Sequence, residues 1–362
     1  MPMPQDRNWM LYALKLAENG RGAVEPNPMV GAVIVRDGVL VGEGYHQRYG
    51  EAHAEVHALQ QAGDAARGAT LYVTLEPCCH FGKTPPCTDA VLRSGVNRVV
   101  VAMADPFPAV AGGGLSILQQ AGLTIEVGVC DVESKLLNAP YLKRLQTGRP
   151  YVIAKWAMTL DGKIAARTGH SQWISGPESR AIVHTIRGQV DGILVGRGTL
   201  LSDDPHLVAR PAGPRTATRI ILTRSGELPL ACRLLDTVTE APILIISGST
   251  SDRELLNHWR NRGAEVLILS EFTIPVLLDE LGRRRMTNLL VEGGSAILGA
   301  FFDAEAIDAV WVFIAPKLVG GDRAIGPISG TGLTAIPSLA SLRNRRIEQI
   351  GDDVLITGTL HD

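Results

Sequence analysis

An excess of basic charge is missing from this 362-residue chain: 35 Lys and Arg stand against 37 Asp and Glu, for a net charge of −2. That balance gives no broad electrostatic footprint for DNA or RNA. Long apolar runs are missing as well, and none approaches the roughly 18–20 residues of a membrane span. The first residues do not read as a secretory signal, because Asp6, Arg7 and Asn8 interrupt them and Glu18 and Asn19 follow. Cysteine is sparse; five is an odd number and does not suit a disulfide framework. Three of the five cluster at Cys78, Cys79 and Cys87, a pattern that suits metal binding in a reducing compartment, with the cytoplasm as default. No internal repeat or low-complexity tract is present, and no GxGxxG follows a strand pattern in the second half, so a Rossmann site has no support. What remains, 45% apolar and 20% charged residues, is ordinary globular composition. The length suits two domains, each with its own core.

Periodicity predicts α/β organisation in both halves. Trp9 to Ala17 has helical spacing ending at Asn19-Gly20, and Val30–Val35 and Val39–Tyr45 form a hairpin about Asp37-Gly38. A helix is expected from His53 to Gln61, strands over Leu71–Leu75, Asn97–Met103 and Leu123–Val129, and helices over Thr88–Arg93 and Leu115–Gln120. Thr147-Gly148-Arg149-Pro150 reads as a linker, dividing the chain into domains 1–146 and 150–362. Beyond it, strand runs Tyr151–Ala157, Gly192–Val195, Arg219–Leu222, Ile243–Ile246, Glu265–Leu269 and Asn288–Val291 alternate with helical stretches such as Glu178–Arg187 and Asp252–Arg262. That alternation predicts a mostly parallel sheet, with antiparallel edge strands at Ala309–Ile314 and Arg346–Thr359. Ser175-Gly176-Pro177-Glu178 has the form of a capping box with Ser175 as cap.

The most informative stretch is Glu51 to Thr88. His53-Ala54-Glu55, Glu76-Pro77-Cys78 and Pro85-Pro86-Cys87 offer one imidazole and two thiols, enough to hold Zn²⁺ and leave a tetrahedral position for water. A His-x-Glu followed by Pro-Cys is the pattern of zinc nucleobase deaminases, with Glu55 as the acid–base group. Two residues apart in mid-helix, His53 and Glu55 would face opposite sides, so both can serve one ion only where a loop enters a helix. Cys87, just ahead of a helix, gains thiolate character from the helix N-terminus. His57 is a rival ligand one turn on, but its order is not the His-Glu-x-x-His of zinc proteases. Cys79 is left out, since neighbouring side chains rarely converge on one ion. A closed Cys₃His knot or buried free thiols is the competing reading; a closed knot would have no use for Glu55.

More specific motifs surround these ligands: Pro26-Asn27-Pro28-Met29-Val30-Gly31, His46 ahead of Gly50-Glu51-Ala52-His53-Ala54-Glu55, and the run Thr74 to Cys87 with eight residues between its ligand cysteines. Together they resemble the bifunctional riboflavin-biosynthesis deaminase–reductase family, and the resemblance covers essentially the whole chain. It implies a cytidine-deaminase-like α/β/α domain followed by a dihydrofolate-reductase-like α/β domain. The first would deaminate 2,5-diamino-6-ribosylamino-4(3H)-pyrimidinone 5′-phosphate, with Asn27, His46, Lys83, Thr84 and Asp105 contacting substrate. Lys83 and His46 would meet its phosphate and Asn27 an amide-like ring edge. Phe107 departs from the family's usual asparagine, and Gly113 stands where a basic residue is common.

In the second half, Gly196-Arg197-Gly198-Thr199 and Gly293-Gly294-Ser295 each follow a strand, and the latter opens a helix. Such glycines can admit a phosphate to free N–H groups, though taken singly they are more often plain turns. The resemblance adds Lys155-Trp156-Ala157, Leu160-Asp161-Gly162 and Ser171-Gln172-Trp173-Ile174. By position, Ala157, Trp173, Thr199 and Asp203, with the turn Gly294, Ser295, Ala296, Ile297, Leu298, Gly299 and Ala300, would line NADPH. Ser171, Arg187, Leu207, Arg210 and Glu292 would contact the ribosylamino-uracil phosphate, Arg187 and Arg210 as guanidinium clamps. Arg224 is a candidate for the NADPH 2′-phosphate, and Lys155 and Asp203 for steering protons. The partners implied are small phosphorylated pyrimidines, with no nucleic acid and no membrane, and a homodimer or homotetramer. Two rivals remain: a deaminase of another base with a vestigial second domain, and a non-catalytic zinc-stabilised binding module.

Overall fold

The computed structural model describes residues 4–338 and 341–361. The chain divides into two compact units, Met1–Thr147 and Gly148–Asp362.

The first unit runs α1 (Pro4–Ala17), β1 (Gly31–Arg36), β2 (Val39–Tyr45), α2 (Ala54–Ala62), β3 (Thr70–Val73), α3 (Cys87–Ser94), β4 (Arg98–Val101), α4 (Gly113–Gln120), β5 (Thr124–Val127), α5 (Asp131–Leu137) and α6 (Ala139–Thr147). Its five strands lie in the order β2-β1-β3-β4-β5. β1 is antiparallel to β2 and β3, and β3, β4 and β5 are mutually parallel. Asp37 and Gly38 both take positive φ, 53° and 76°, as a tight two-residue hairpin turn requires. Alternation along β1 splits the core in two. Val33 and Val35 pack with Met10, Ala13 and Leu14 of α1, whereas Ala32 and Ile34 pack with α2, Val91 of α3 and Leu118 of α4. The sheet is therefore sandwiched between helical layers.

Small residues set how closely α2 approaches β2. Ala54, Ala58 and Ala62 recur every four residues on its buried face. Opposite them, a Cβ on Gly42 would lie 2.3 Å from the Ala58 carbonyl oxygen, and one on Gly44 would lie 2.5 Å from the His57 Cβ. This tight seam holds the N-terminus of α2, and with it His53 and Glu55, against the sheet.

The second unit runs β6 (Tyr151–Thr159), α7 (Pro177–Arg187), β7 (Gly192–Gly196), α8 (Arg197–Asp203), β8 (Thr218–Thr223), α9 (Arg233–Asp236), β9 (Ile243–Gly248), α10 (Arg253–Asn261), β10 (Glu265–Leu269), α11 (Ile274–Arg283), β11 (Asn288–Val291), α12 (Ser295–Asp303), β12 (Ala309–Ala315), β13 (Arg343–Ile350) and β14 (Asp353–Thr359). Nine strands form one sheet, β10-β9-β8-β7-β11-β6-β12-β14-β13. The strands from β10 to β12 pair in parallel, and β14 and β13 add an antiparallel end. Both faces carry apolar clusters, so β7, β8 and β9 read as continuous Val/Ile/Leu runs.

Three local expectations are corrected. β12 is interior and parallel to β6, and only its other neighbour, β14, is antiparallel. Ser175 does not cap α7: the N-cap is Gly176 and makes no side-chain cap bond. Asp353, 177 residues away, takes that role instead, accepting from the Gly176 N–H at 2.7 Å and the Ser179 hydroxyl at 2.6 Å. Finally, Arg197 to Asp203 is a helix, so the expected glycine loop after β7 is a helix N-terminus with Gly196 as cap.

Candidate active sites

The first site sits where β3 ends and α2 and α3 begin. His53 is the N-cap of α2, in extended conformation, and Glu55 lies in the first turn. Extended backbone at His53 lets both side chains face one point, which mid-helix geometry would forbid. Cys87 is the first residue of α3, and its N–H donates to the Cys78 sulfur at 3.3 Å. His53 Nδ1 lies 3.2 Å from Cys87 Sγ and 3.5 Å from Cys78 Sγ. All three donor atoms lie within 4.8 Å of one another, so the set fits Zn²⁺. Hydrogen bonding from Cys87 lowers the Cys78 thiol to about 4, and the same pairing pushes Cys87 up. One thiolate is thus favoured by the protein itself.

Glu55 is 3% exposed, and its Oε2 is buried without a hydrogen-bond partner. Burial pushes its carboxyl up, toward the range in which it can both take and return a proton. His57 lies outside the ligand cluster, its Nε2 buried and unpartnered.

A cavity of about 360 Å³ opens beside these residues and is lined by Asn27, His46, Lys83, Thr84 and Asp105 as well as His53, Glu55 and Cys78. His46 is 2% exposed; its Nδ1 is 3.1 Å from the Ala52 carbonyl and its Nε2 is 3.4 Å from Asn27 Nδ2. Burial lowers its pKa, so a neutral ring orients the Asn27 amide and brings no charge to a phosphate. Asp105 accepts from the Tyr141 hydroxyl at 2.8 Å and from the Phe107 N–H at 3.0 Å, and burial pushes its carboxyl up. Glu76 ties the segment from Asp105 into the start of α4 to the ligand loop after β3: its carboxylate accepts the N–H groups of Asp105, Gly112 and Leu115. A Cβ at Gly113 would lie 3.0 Å from the Cys79 sulfur, which leaves little room there for a basic side chain. Sequence reasoning missed Tyr141, Arg144 and Leu145 of α6, which also line the cavity. Their i, i+3, i+4 spacing was the available signal.

In the second unit, Lys155 on β6, Arg187 at the end of α7 and Glu292 just after β11 meet in one buried cluster. Arg187 donates to both Glu292 oxygens at 2.6 and 2.9 Å, and Lys155 Nζ lies 3.5 Å from Glu292 Oε2. Arg187 is therefore paired inside the unit and is not a surface salt bridge. Ser171 donates to Asp203 at 3.1 Å. The two glycine segments adjoin: the Gly294 N–H donates to Thr199 Oγ1 at 3.0 Å, and a Cβ on Gly293 would lie 2.9 Å from the Gly196 nitrogen.

The segment Gly294–Ala300 is not a free turn; Gly294 caps α12, Leu298 is in the core, and Gly299 packs against the Ser329 carbonyl. Ala296, Ile297 and Ala300 line a cavity of about 610 Å³ with Arg197 and Arg224. Free N–H groups beside close-packed glycines fit a dinucleotide phosphate. Arg224 stacks on Phe272, its guanidinium 4.9 Å from the ring centroid. Ala157 pairs with Phe313 across β6 and β12, Trp173 is exposed beside Arg180, and Arg210 is exposed. Leu207 is 2% exposed, so its side chain belongs to the core and only its backbone can meet a ligand.

Comparison with known proteins shows what each unit is similar to. Residues 150–356 match the model of the RibD C-terminal domain, and residues 3–103 that of the cytidine and deoxycytidylate deaminase zinc-binding region. A riboflavin biosynthesis protein RibD from Aquifex aeolicus is 44% identical, over 97% of each chain. The chain belongs to the RibD family. The Escherichia coli RibD is 40% identical over 97% of this chain and 98% of its own. Among solved structures, Acinetobacter baumannii RibD superposes with a TM-score of 0.84 at 36% identity, covering 99% of each chain. The Thermotoga maritima diaminohydroxyphosphoribosylaminopyrimidine deaminase/5-amino-6-(5-phosphoribosylamino)uracil reductase gives 0.86 at 34%, again over 99% of each. As a RibD-family protein the chain is a deaminase and reductase of riboflavin biosynthesis, with zinc and NADPH as cofactors. No described helix is long and apolar enough to cross a membrane.

Proposed function

We propose that residues 1–146 deaminate 2,5-diamino-6-ribosylamino-4(3H)-pyrimidinone 5′-phosphate and residues 150–362 then reduce the ribosyl chain to ribityl. The observation that carries this reading is the unpartnered Glu55 oxygen, buried in the cavity that also holds His53 and Cys78. Zinc held by His53, Cys78 and Cys87 would supply Lewis acidity that makes water nucleophilic near neutral pH. Glu55 takes a proton from the attacking water and returns it toward the ring nitrogen and the departing amine, which leaves as ammonia. Asn27, oriented by His46, reads the amide-like edge of the base. In the second unit NADPH would supply hydride to the open-chain imine. Ser295 and Ala296 at the start of α12, with the Thr199 hydroxyl, would hold its phosphates, and Arg224 its 2′-phosphate. Burial lowers the Lys155 pKa, which suits it to hand a proton to the imine nitrogen.

The partners are small phosphorylated pyrimidines; the near-neutral charge supports no nucleic-acid role. Action in the cytoplasm and assembly as a homodimer or homotetramer belong to the same proposal, symmetric assembly being common among soluble enzymes. Mass spectrometry of products tests it. Ammonia release without NADPH, and a ribityl product only with it, are expected. Glu55→Gln should abolish ammonia release while zinc stays bound. Deamination of cytosine or tRNA adenosine in place of the pyrimidine phosphate would overturn the reading.

A further inference from the structure

A phosphorylated substrate needs a cation in the deaminase cavity, and the structure supplies one that no sequence motif marks. Arg144 lines that cavity from α6. Its Nε is buried with no hydrogen-bond partner, and among the described residues no carboxylate pairs with its guanidinium. A buried donor left unmatched costs about 1–3 kcal/mol, so it calls for a partner from outside the protein.

Two carboxylates that share the cavity wall are held by other donors. Glu76 is bound by three backbone N–H groups, and Oδ1 of Asp105 by Tyr141 and Phe107. Tyr141 lies three residues before Arg144 on the same helix face, so its bond to Asp105 pins α6 to the cavity wall and orients the guanidinium. Lys83 is the second long cation there, with its ammonium 4.0 Å from the centroid of the Tyr49 ring. His46 has both ring nitrogens occupied by the protein, and Gly113 has no side chain to offer.

We propose that Arg144, acting with Lys83, binds the 5′-phosphate of the deaminase substrate and selects phosphorylated over unphosphorylated pyrimidine. This rests on the deaminase reading given above. Guanidinium matches phosphate through paired N–H donors, and the helix presents the group without a flexible loop.

The test uses the zinc-loaded full-length protein. Arg144→Met should lower kcat/KM for the phosphorylated diaminopyrimidine about 10- to 100-fold, the worth of a charge-assisted hydrogen bond, chiefly through KM. The unphosphorylated ribosylaminopyrimidine should react within about 2-fold of wild type in both forms. Ribose 5-phosphate should compete with deamination in wild type and lose that effect in the variant. Arg144→Lys, which keeps the charge without the fork, should give an intermediate KM and shows the effect even if Arg144→Met folds poorly. Zinc content and NADPH-dependent reduction serve as folding controls. An equal loss on both substrates, or a fall in kcat alone, overturns the phosphate role; so does a KM unchanged in both variants. A wild-type protein inactive on the phosphorylated pyrimidine would instead overturn the deaminase reading itself.

Discussion

Glu292→Gln probes the buried charge cluster of the second unit. Glu292 is 5% exposed at its side chain, and Arg187 and Lys155 are 15% and 16% exposed. Burial alone would push the carboxyl up, but the Arg187 and Lys155 charges overcome it and bring the pKa from 4.5 to about 2. That fall corresponds to roughly 3 kcal/mol in favour of the ionised group in the folded chain, at about 1.4 kcal/mol per tenfold. Removing one side of a buried ion pair generally costs about 3–5 kcal/mol, which agrees. The variant should therefore lose about 3 kcal/mol of second-unit stability at pH 7, because two buried cations then face each other. Urea unfolding followed by tryptophan fluorescence measures it: Trp156, Trp173, Trp259 and Trp311 lie in that unit and only Trp9 in the other. Because the folded-state pKa is depressed, the wild-type contribution is complete above pH 4.5 and drains away as pH falls toward 2. Glutamine has no such titration, so the deficit should shrink to less than about half by pH 3. A deficit under about 1 kcal/mol at pH 7, or one unchanged down to pH 3, would refute the reasoning. The triple change Lys155→Met, Arg187→Met and Glu292→Leu, which removes all three buried charges, should recover much of the stability and leave reduction lost.

Two further variants probe the other scaffolds. Gly293→Ala places a methyl 2.9 Å from the Gly196 nitrogen, so NADPH affinity measured by fluorescence titration should weaken about tenfold or more, with deamination unchanged. Asp6 is fully buried and accepts two bonds from Arg98 and one from Tyr72. Asp6→Asn should cost the first unit about 3 kcal/mol in urea, read by zinc release, while the KM for deamination at low temperature holds; a midpoint equal to wild type would contradict the role given to that cluster.

Much of the fold was legible because its signals are local. Asp37-Gly38 marked the hairpin, and Asp252 the start of α10, where its carboxylate accepts the N–H groups of Glu254 and Leu255. Sequence reasoning failed where a distant residue replaced a local one. Ser175 had the right spacing for a capping box, yet Asp353 from β14 occupies that end of α7. α5 and α6 were not predicted, and with them went Tyr141 and Arg144, because α6 has no fully buried residue to produce a strong apolar stripe. Leu207 was assigned to substrate by motif position; its side chain is in the core, which leaves its backbone for that contact.

By itself the sequence determined the chemistry: which residue types could hold zinc, move a proton or admit a phosphate, since ligand and acid–base character belong to the side chain. Tertiary structure decided which of them meet and in what state of charge. The extended turn at His53 brings Glu55 to the ligands, burial unpairs one Glu55 oxygen, Glu292 claims Arg187, and α6 delivers Arg144 to the cavity. Those outcomes depend on packing between segments far apart in the chain, and desolvation acts only once that packing exists.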